Sequence, residues 1–252
     1  MHSEPADPHA ALDTRTYPEL AADAGDPLVG LGRIAGAEGV TLAPSRRWGP
    51  WDASQESISV VVESDRGTCY VEFERPRHVI RVEFTLPWIS YALTGTVPTL
   101  GDTVALLDAW HQRLPLEEMG RQWPALTVLP FALAFEQGRA IPYQWQEIRS
   151  LPERLIDQRL VEAAYAAPRL RALFPIVSHG TLIFSDTPIP PHSVHFPRAT
   201  PYGERGWLVE SQVESASGHL AASTAEEAVD CLIRLLPGAG AGGGRGPAEE
   251  DR

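Results

Sequence analysis

The chain has 252 residues, 43% of them apolar and 21% charged, which is enough for one large domain or two small ones around a sizeable core. The formal net charge is −12 and every basic residue is an arginine, a balance that argues against a nucleic-acid footprint or a basic membrane patch. Cys69 and Cys231 are the only cysteines, each inside an apolar periodic segment, which speaks against a disulfide framework or a cysteine zinc site.

Residues 1–17 lack apolar periodicity, are rich in acids and proline, and are expected to form a disordered tail. They also lack the apolar centre of a secretion signal, and no run reaches about 18 apolar residues, so a cytoplasmic protein is expected. A single globular domain is expected over residues 18–236, with a division into two lobes, 18–128 and 129–236, left open. The glycine-rich residues 237–252 read as a second disordered tail.

In "DPLVGLGRIAGAEG", Asp26 suits an N-cap and Pro27 the first helical position. Ser57 to Leu86 holds three alternating stretches separated by "SDRG" and "RPRH". Closing both loops sets Val62, Val60 and Ile58 opposite Cys69, Val71 and Phe73, and sets Phe73, Val71 and Cys69 opposite Ile80, Val82 and Phe84. All nine are apolar, and a slip of one residue would expose the whole set. The other face pairs Glu72 with Arg81 and Tyr70 with Glu83.

"PTLGDTVALLDAWHQRLP" places Val104, Leu107, His111 and Leu114 at helical spacing, flanked by Leu106 and Trp110, and Pro115 ends it and opens "LEEMGRQW". A second helical region, "PERLIDQRLVEAAYAAPRLRALFP", carries Ile156, Leu160, Ala163 and Ala167, breaks at Pro168, and continues with Leu170, Leu173 and Phe174. After a proline-rich loop come "GWLVESQVE", "HLAAS" and a final helix, which Thr224 and Glu227 open as a capping box. The predicted class is α+β: an antiparallel β-meander with helices packed on one face, plus a C-terminal strand-helix segment.

In "LFPIVSHGTLIFS" the adjacent Ser178 and His179 invite a catalytic reading. Neighbouring side chains are expected to diverge, however, and no nucleophile elbow surrounds them. The preferred reading is a helix-to-strand junction with Gly180 at a positive-φ position. His192 and His195 in "HSVH" have a metal-ligand spacing, but the surrounding prolines argue against a helix and no metal is expected. His111 reads as a buried structural histidine.

Arg75, Arg77, His78 and Arg81 form the basic concentration of an acidic chain and suit an anion or acidic peptide. Trp88 and Tyr91, with Tyr143, Trp145 and Arg149 among glutamines, suit peptide or ligand recognition.

The segments "YAAPRLRALFPIVSHGTLIFS", "WISYALTGTVPTLGDTVALLDAWH" and "TAEEAVDCLIRLLP" resemble, in order, an actinobacterial family of unknown function labelled natural product biosynthesis proteins. The resemblance spans residues 25–236 and implies a biosynthetic context but no catalytic residues. Without a P-loop, dinucleotide glycines, zinc motif or nucleophile elbow, no cofactor is expected. The chain reads as an accessory or recognition protein that binds a biosynthetic enzyme or precursor peptide. The alternatives are an enzyme, with His111, His179 and Arg81 the first residues to test, or an intracellular immunity-type binder of a basic toxin.

Overall fold

The structure is a computed structural model that describes residues 11–46, 57–190, 192, 196–203, 206–211 and 219–237. It divides into two compact units, Met1–Gln137 and Gly138–Arg252. The parts of the expected tails at 1–10 and 238–252 lie outside the described residues.

In the N-terminal unit a 3-10 turn, Pro18–Asp23, leads into α1 (Pro27–Glu38). The Asp26 carboxylate accepts from the backbone N–H of Leu28 and Val29, the capping predicted from the Asp-Pro step. Then follow β1 (Pro44–Arg46), β2 (Ser57–Ser64), β3 (Gly67–Glu74), β4 (Ile80–Leu86) and β5 (Ile89–Val97). After them come α2 (Leu100–His111), α3 (Leu116–Gln122), β6 (Leu126–Val128) and α4 (Pro130–Glu136). The strands form one antiparallel sheet in sequence order.

The observed register pairs Val62, Val60 and Ile58 with Cys69, Val71 and Phe73, and those three with Phe84, Val82 and Ile80. This apolar face packs with Leu31 and Ala35 of α1, Val104, Leu107 and Trp110 of α2, and Met119 of α3. Each fully buried side chain of this size contributes about 1.5–3 kcal/mol, so one alternating pattern explains both the pairing and the helix layer. The "SDRG" loop closes more tightly than its four letters imply, because Ser64 already faces Gly67 and leaves Asp65 and Arg66 as the turn.

Residues 11–17 depart from the expected disorder. Leu12 and Tyr17 are buried in this core, and Leu12 donates to the Gly25 carbonyl (3.0 Å). The unit boundary lies after Gln137 rather than after Val128, because α4 buries Ala132 in the N-terminal core and Glu136 reaches Arg66.

The C-terminal unit contains α5 (Ala140–Arg149), α6 (Gln158–Ala166), α7 (Pro168–Arg171), β7 (Phe174–Ser178), β8 (Thr181–Ser185), β9 (Arg198–Pro201), β10 (Trp207–Glu210), β11 (Leu220–Ala222) and α8 (Ala225–Leu235). Its five strands form a second antiparallel sheet in the order β11-β10-β9-β8-β7. The helix expected from Pro152 starts only at Gln158, because the Asp157 carboxylate caps the Arg159 N–H (2.9 Å). Phe174, expected on a helix, opens β7. Half of the capping box expected at α8 is present, since the Thr224 hydroxyl accepts from the Glu227 N–H; the Glu227 carboxylate accepts from the Ser223 N–H, one residue before the N-cap, instead of from Thr224.

Arg66, on the β2–β3 turn, is only 5% exposed. It donates to the Leu114 carbonyl (2.7 Å) and the Glu136 carboxylate (2.6 Å), and its guanidinium lies 4.2 Å from the Trp110 ring centroid. Glu136 also accepts from the Leu116 N–H (2.8 Å). Burial draws the Arg66 pKa below its usual value, and Glu136 opposes that pull. Glu136→Ala is expected to lower the unfolding free energy in urea by roughly 2–3 kcal/mol, less than a wholly buried pair because Glu136 keeps some contact with water. Asp65→Asn, which breaks the exposed pair with Arg113, is expected to change it little.

On the outer face of β4, burial and the nearby Glu72 push the Glu83 carboxyl pKa up. Its folded-state pKa therefore exceeds its unfolded one, so the stability it contributes is present at acid pH and lost as pH rises through the folded value. Glu83→Gln is accordingly expected to raise thermal stability at neutral pH, with the gain fading as the buffer is taken below the ordinary carboxylate range.

Candidate functional site

β4 and β5 are joined by Pro87 and Trp88. Proline fixes a negative φ at the first turn position and Trp88 takes φ +72° at the second, the order of a type II turn whose second position favours glycine. Beyond the turn Leu86 faces Ile89 but Phe84 faces Leu93, so β5 carries extra residues at a bulge. Tyr91 sits in that bulge at φ +57°. Gly67 makes room beside it, since a Cβ there would lie 1.9 Å from the Thr85 carbonyl oxygen. The result is two aromatic side chains, 63% and 61% exposed, each held on a backbone conformation that disfavours large residues.

The basic residues of "ERPRH" are occupied within the chain. Glu74, itself 9% exposed, pairs with Arg77 (2.8 Å) and with Arg81. Arg81 thus faces Glu72 in register but takes its ion pair from Glu74. His78 meets Glu19 (2.8 Å) and lies against the Tyr17 ring, and Arg75 donates to the Ala11 carbonyl (3.5 Å). Beneath them the Tyr17 hydroxyl is within 3.0 Å of the carbonyls of Glu74, Arg77 and Val79 and accepts from the Val79 N–H. Burial raises its pKa. The residues ahead of α1 thereby clasp the β3–β4 loop, a role that no local sequence signal announced.

His111 is half-buried and its Nδ1 donates to the Leu107 carbonyl (2.8 Å), one turn back on α2. The aromatic and amide cluster lies on α5, where Trp145 is buried and its Nε1 donates to the carbonyls of Arg171 and Leu173. Trp145 is therefore a core residue, because α5 turns that face inward against β7. Arg149 makes a two-point ion pair with Glu162 and stacks on Tyr165, which raises the pKa of the guanidinium. Burial and Glu147 raise the Tyr143 pKa.

"LFPIVSHGTLIFS" is a β-hairpin, which corrects the expected helix-to-strand junction. Ser178 pairs with Thr181, leaving His179 (φ +50°) and Gly180 (φ +78°) as a two-residue turn with both φ positive. The side chains of Ser178 and His179 do not diverge as expected: Oγ and Nδ1 lie 3.1 Å apart, because the left-handed backbone swings the imidazole back along the strand. The pair is exposed, and among the described residues no carboxylate meets the other ring nitrogen.

His179 borders a groove of about 550 Å³, with Leu151, Leu155, Val177 and Pro201 as apolar walls and Arg154 as the second polar group. His192 stacks on Phe174, while His195 lies outside the described residues. Among the described residues no group of three or more histidine, cysteine or acidic side chains could hold a metal ion, and no helix is long and apolar enough to cross a membrane.

At the level of class, the chain is an α+β protein built on two antiparallel sheets. More particularly, the model of a family of unknown function, DUF6193, matches residues 139–246, which covers most of the C-terminal unit and includes the groove. Of the similarity expected over residues 25–236, what is found is a match to a family of unknown function over residues 139–246. No curated protein and no solved structure matches the chain.

The Tyr17 clasp predicts that Tyr17→Phe destabilises the protein by about 1–2 kcal/mol, because buried carbonyls lose their donor while the ring volume is kept. Urea denaturation checks the value, and proteolysis within residues 74–79 should accelerate with it.

Proposed function

We propose that the protein is a recognition protein of bacterial natural product biosynthesis, which engages a partner enzyme or a precursor peptide through Trp88 and Tyr91. The observation that carries this reading is the pair of exposed aromatics on left-handed backbone at the β4–β5 turn. A chain gains no core packing from side chains placed there and bears the strain nonetheless, an arrangement that suits a contact surface. Exposed tryptophan and tyrosine are the side chains most often dominant at interfaces. The biosynthetic context rests on the resemblance of the sequence segments to proteins so labelled.

The enzymatic reading has less support. Catalytic partners must converge on one reacting atom, whereas Arg81 is engaged by Glu74 and His111 by its own helix backbone. An acidic chain, with a formal net charge of −12, would also suit a basic partner.

The test is co-expression with the products of adjacent genes, followed by size-exclusion chromatography and titration of the complex that forms. Trp88→Gly and Tyr91→Ala are each expected to weaken it about thirtyfold, the scale of an interface hot spot. Trp88→Gly should leave the unfolding free energy unchanged or raise it by up to about 1 kcal/mol, because the turn strain is relieved. An unchanged complex with both variants would sink the reading. Loss of product in His111→Ala with the complex intact would favour the enzyme.

A further inference from the structure

We propose that the groove of the C-terminal unit binds the C-terminal end of a peptide, with Arg154 taking the terminal carboxylate and the apolar walls taking the last side chain. This goes beyond the Trp88 and Tyr91 reading and does not rest on it.

The loop between α5 and α6 is a built feature. Gln158 Nε2 donates to the carbonyls of Ile148 (3.3 Å) and Leu151 (2.7 Å), and the Leu155 N–H donates to the Pro152 carbonyl (2.8 Å). These bonds fix the loop that carries Leu151, Arg154 and Leu155, which line the groove together with Val177, His179 and Pro201. The turn residue Gly180 completes the wall, and a Cβ there would stand 3.8 Å from the Leu155 carbonyl oxygen and 3.6 Å from Pro201. Leu155 stays 46% exposed, a large apolar side chain offered to the groove rather than to the core.

Arg154 has no ion-pair partner among the described residues, although the chain carries a net charge of −12 and the nearby Arg149 and Arg159 are both paired. An unpaired guanidinium beside apolar walls is complementary to a carboxylate on an apolar body, and its fork can hold both oxygens. His179 supplies a second donor: when the Ser178 hydroxyl donates to Nδ1, Nε2 carries the proton and can reach a carboxylate oxygen. The site is an open groove, whereas a small free acid needs a cavity that surrounds most of its surface. A chain end fits the open form, because the residues before it continue into solvent along the groove.

The experiment is fluorescence anisotropy of the full chain with a fluorescein-labelled hexapeptide ending in Gly-Ala-Leu, as the free acid and as the C-terminal amide, with octanoate as competitor. The acid is expected to bind at least tenfold tighter than the amide, and Arg154→Ala to abolish that difference without lowering the melting temperature. Arg154→Lys should restore part of it, since the charge returns without the fork, and Trp88→Gly should leave it unchanged. Equal binding of acid and amide, or no binding of either, would overturn the proposal. Displacement by octanoate at the affinity of the peptide would overturn the assignment to a chain end.

Discussion

A guanidinium taken out of water at the tip of a two-residue turn is tolerable only if its donors are met, and Arg66 meets them by drawing the N-terminal unit together. One donor goes to the carbonyl of Leu114 after α2, another to Glu136 at the end of α4, and the flat face of the group covers Trp110. Glu136 in turn holds the first N–H of α3. A single cation therefore couples the β2–β3 turn to three helices. The Trp110 indole closes the arrangement by donating to Ser64 on the same turn (3.1 Å).

With that end of the sheet anchored, its aromatic residues divide into two kinds. Tyr17, Trp110 and Trp145 are buried, and each has found a partner for its polar atom. Trp88 and Tyr91 are exposed, and the backbone that presents them is unfavourable for any side chain with a Cβ. The bulge in β5 connects the two observations: extra residues opposite Thr85 re-aim the strand, and Gly67 allows the close approach to the Thr85 carbonyl. In the C-terminal unit the same left-handed conformation at His179 makes a tight hairpin and folds the imidazole onto Ser178. That contact has the distance of a nucleophile-base pair but follows from turn geometry alone.

The parts of the fold legible in the sequence were those whose forces act between near neighbours. Period-two alternation set the pairing of β2, β3 and β4, and local side-chain oxygens marked the starts of α1 and α8. Misreadings occurred where one short string serves two local structures. "LFPIVS" has the spacing of a helix end as well as of a strand, and only pairing with Thr181–Ser185 decides between them. "PERLID" has a helical spacing, yet the Asp157 cap sets the helix start at Gln158 and leaves Arg154 and Leu155 in a loop that lines a groove.

By itself, the sequence determined the class and the register of the central meander, because alternation and capping are local properties. Only the tertiary structure decided which of the named residues are available. It assigned Trp145 to a core, Arg77 and Arg81 to Glu74, and Arg149 to Glu162, and left Trp88, Tyr91, Arg154 and His179 at the surface. Burial and ion pairing depend on partners brought from distant positions, as Tyr17 to Val79 and Arg66 to Glu136 show, and no window of sequence contains both members of such a pair.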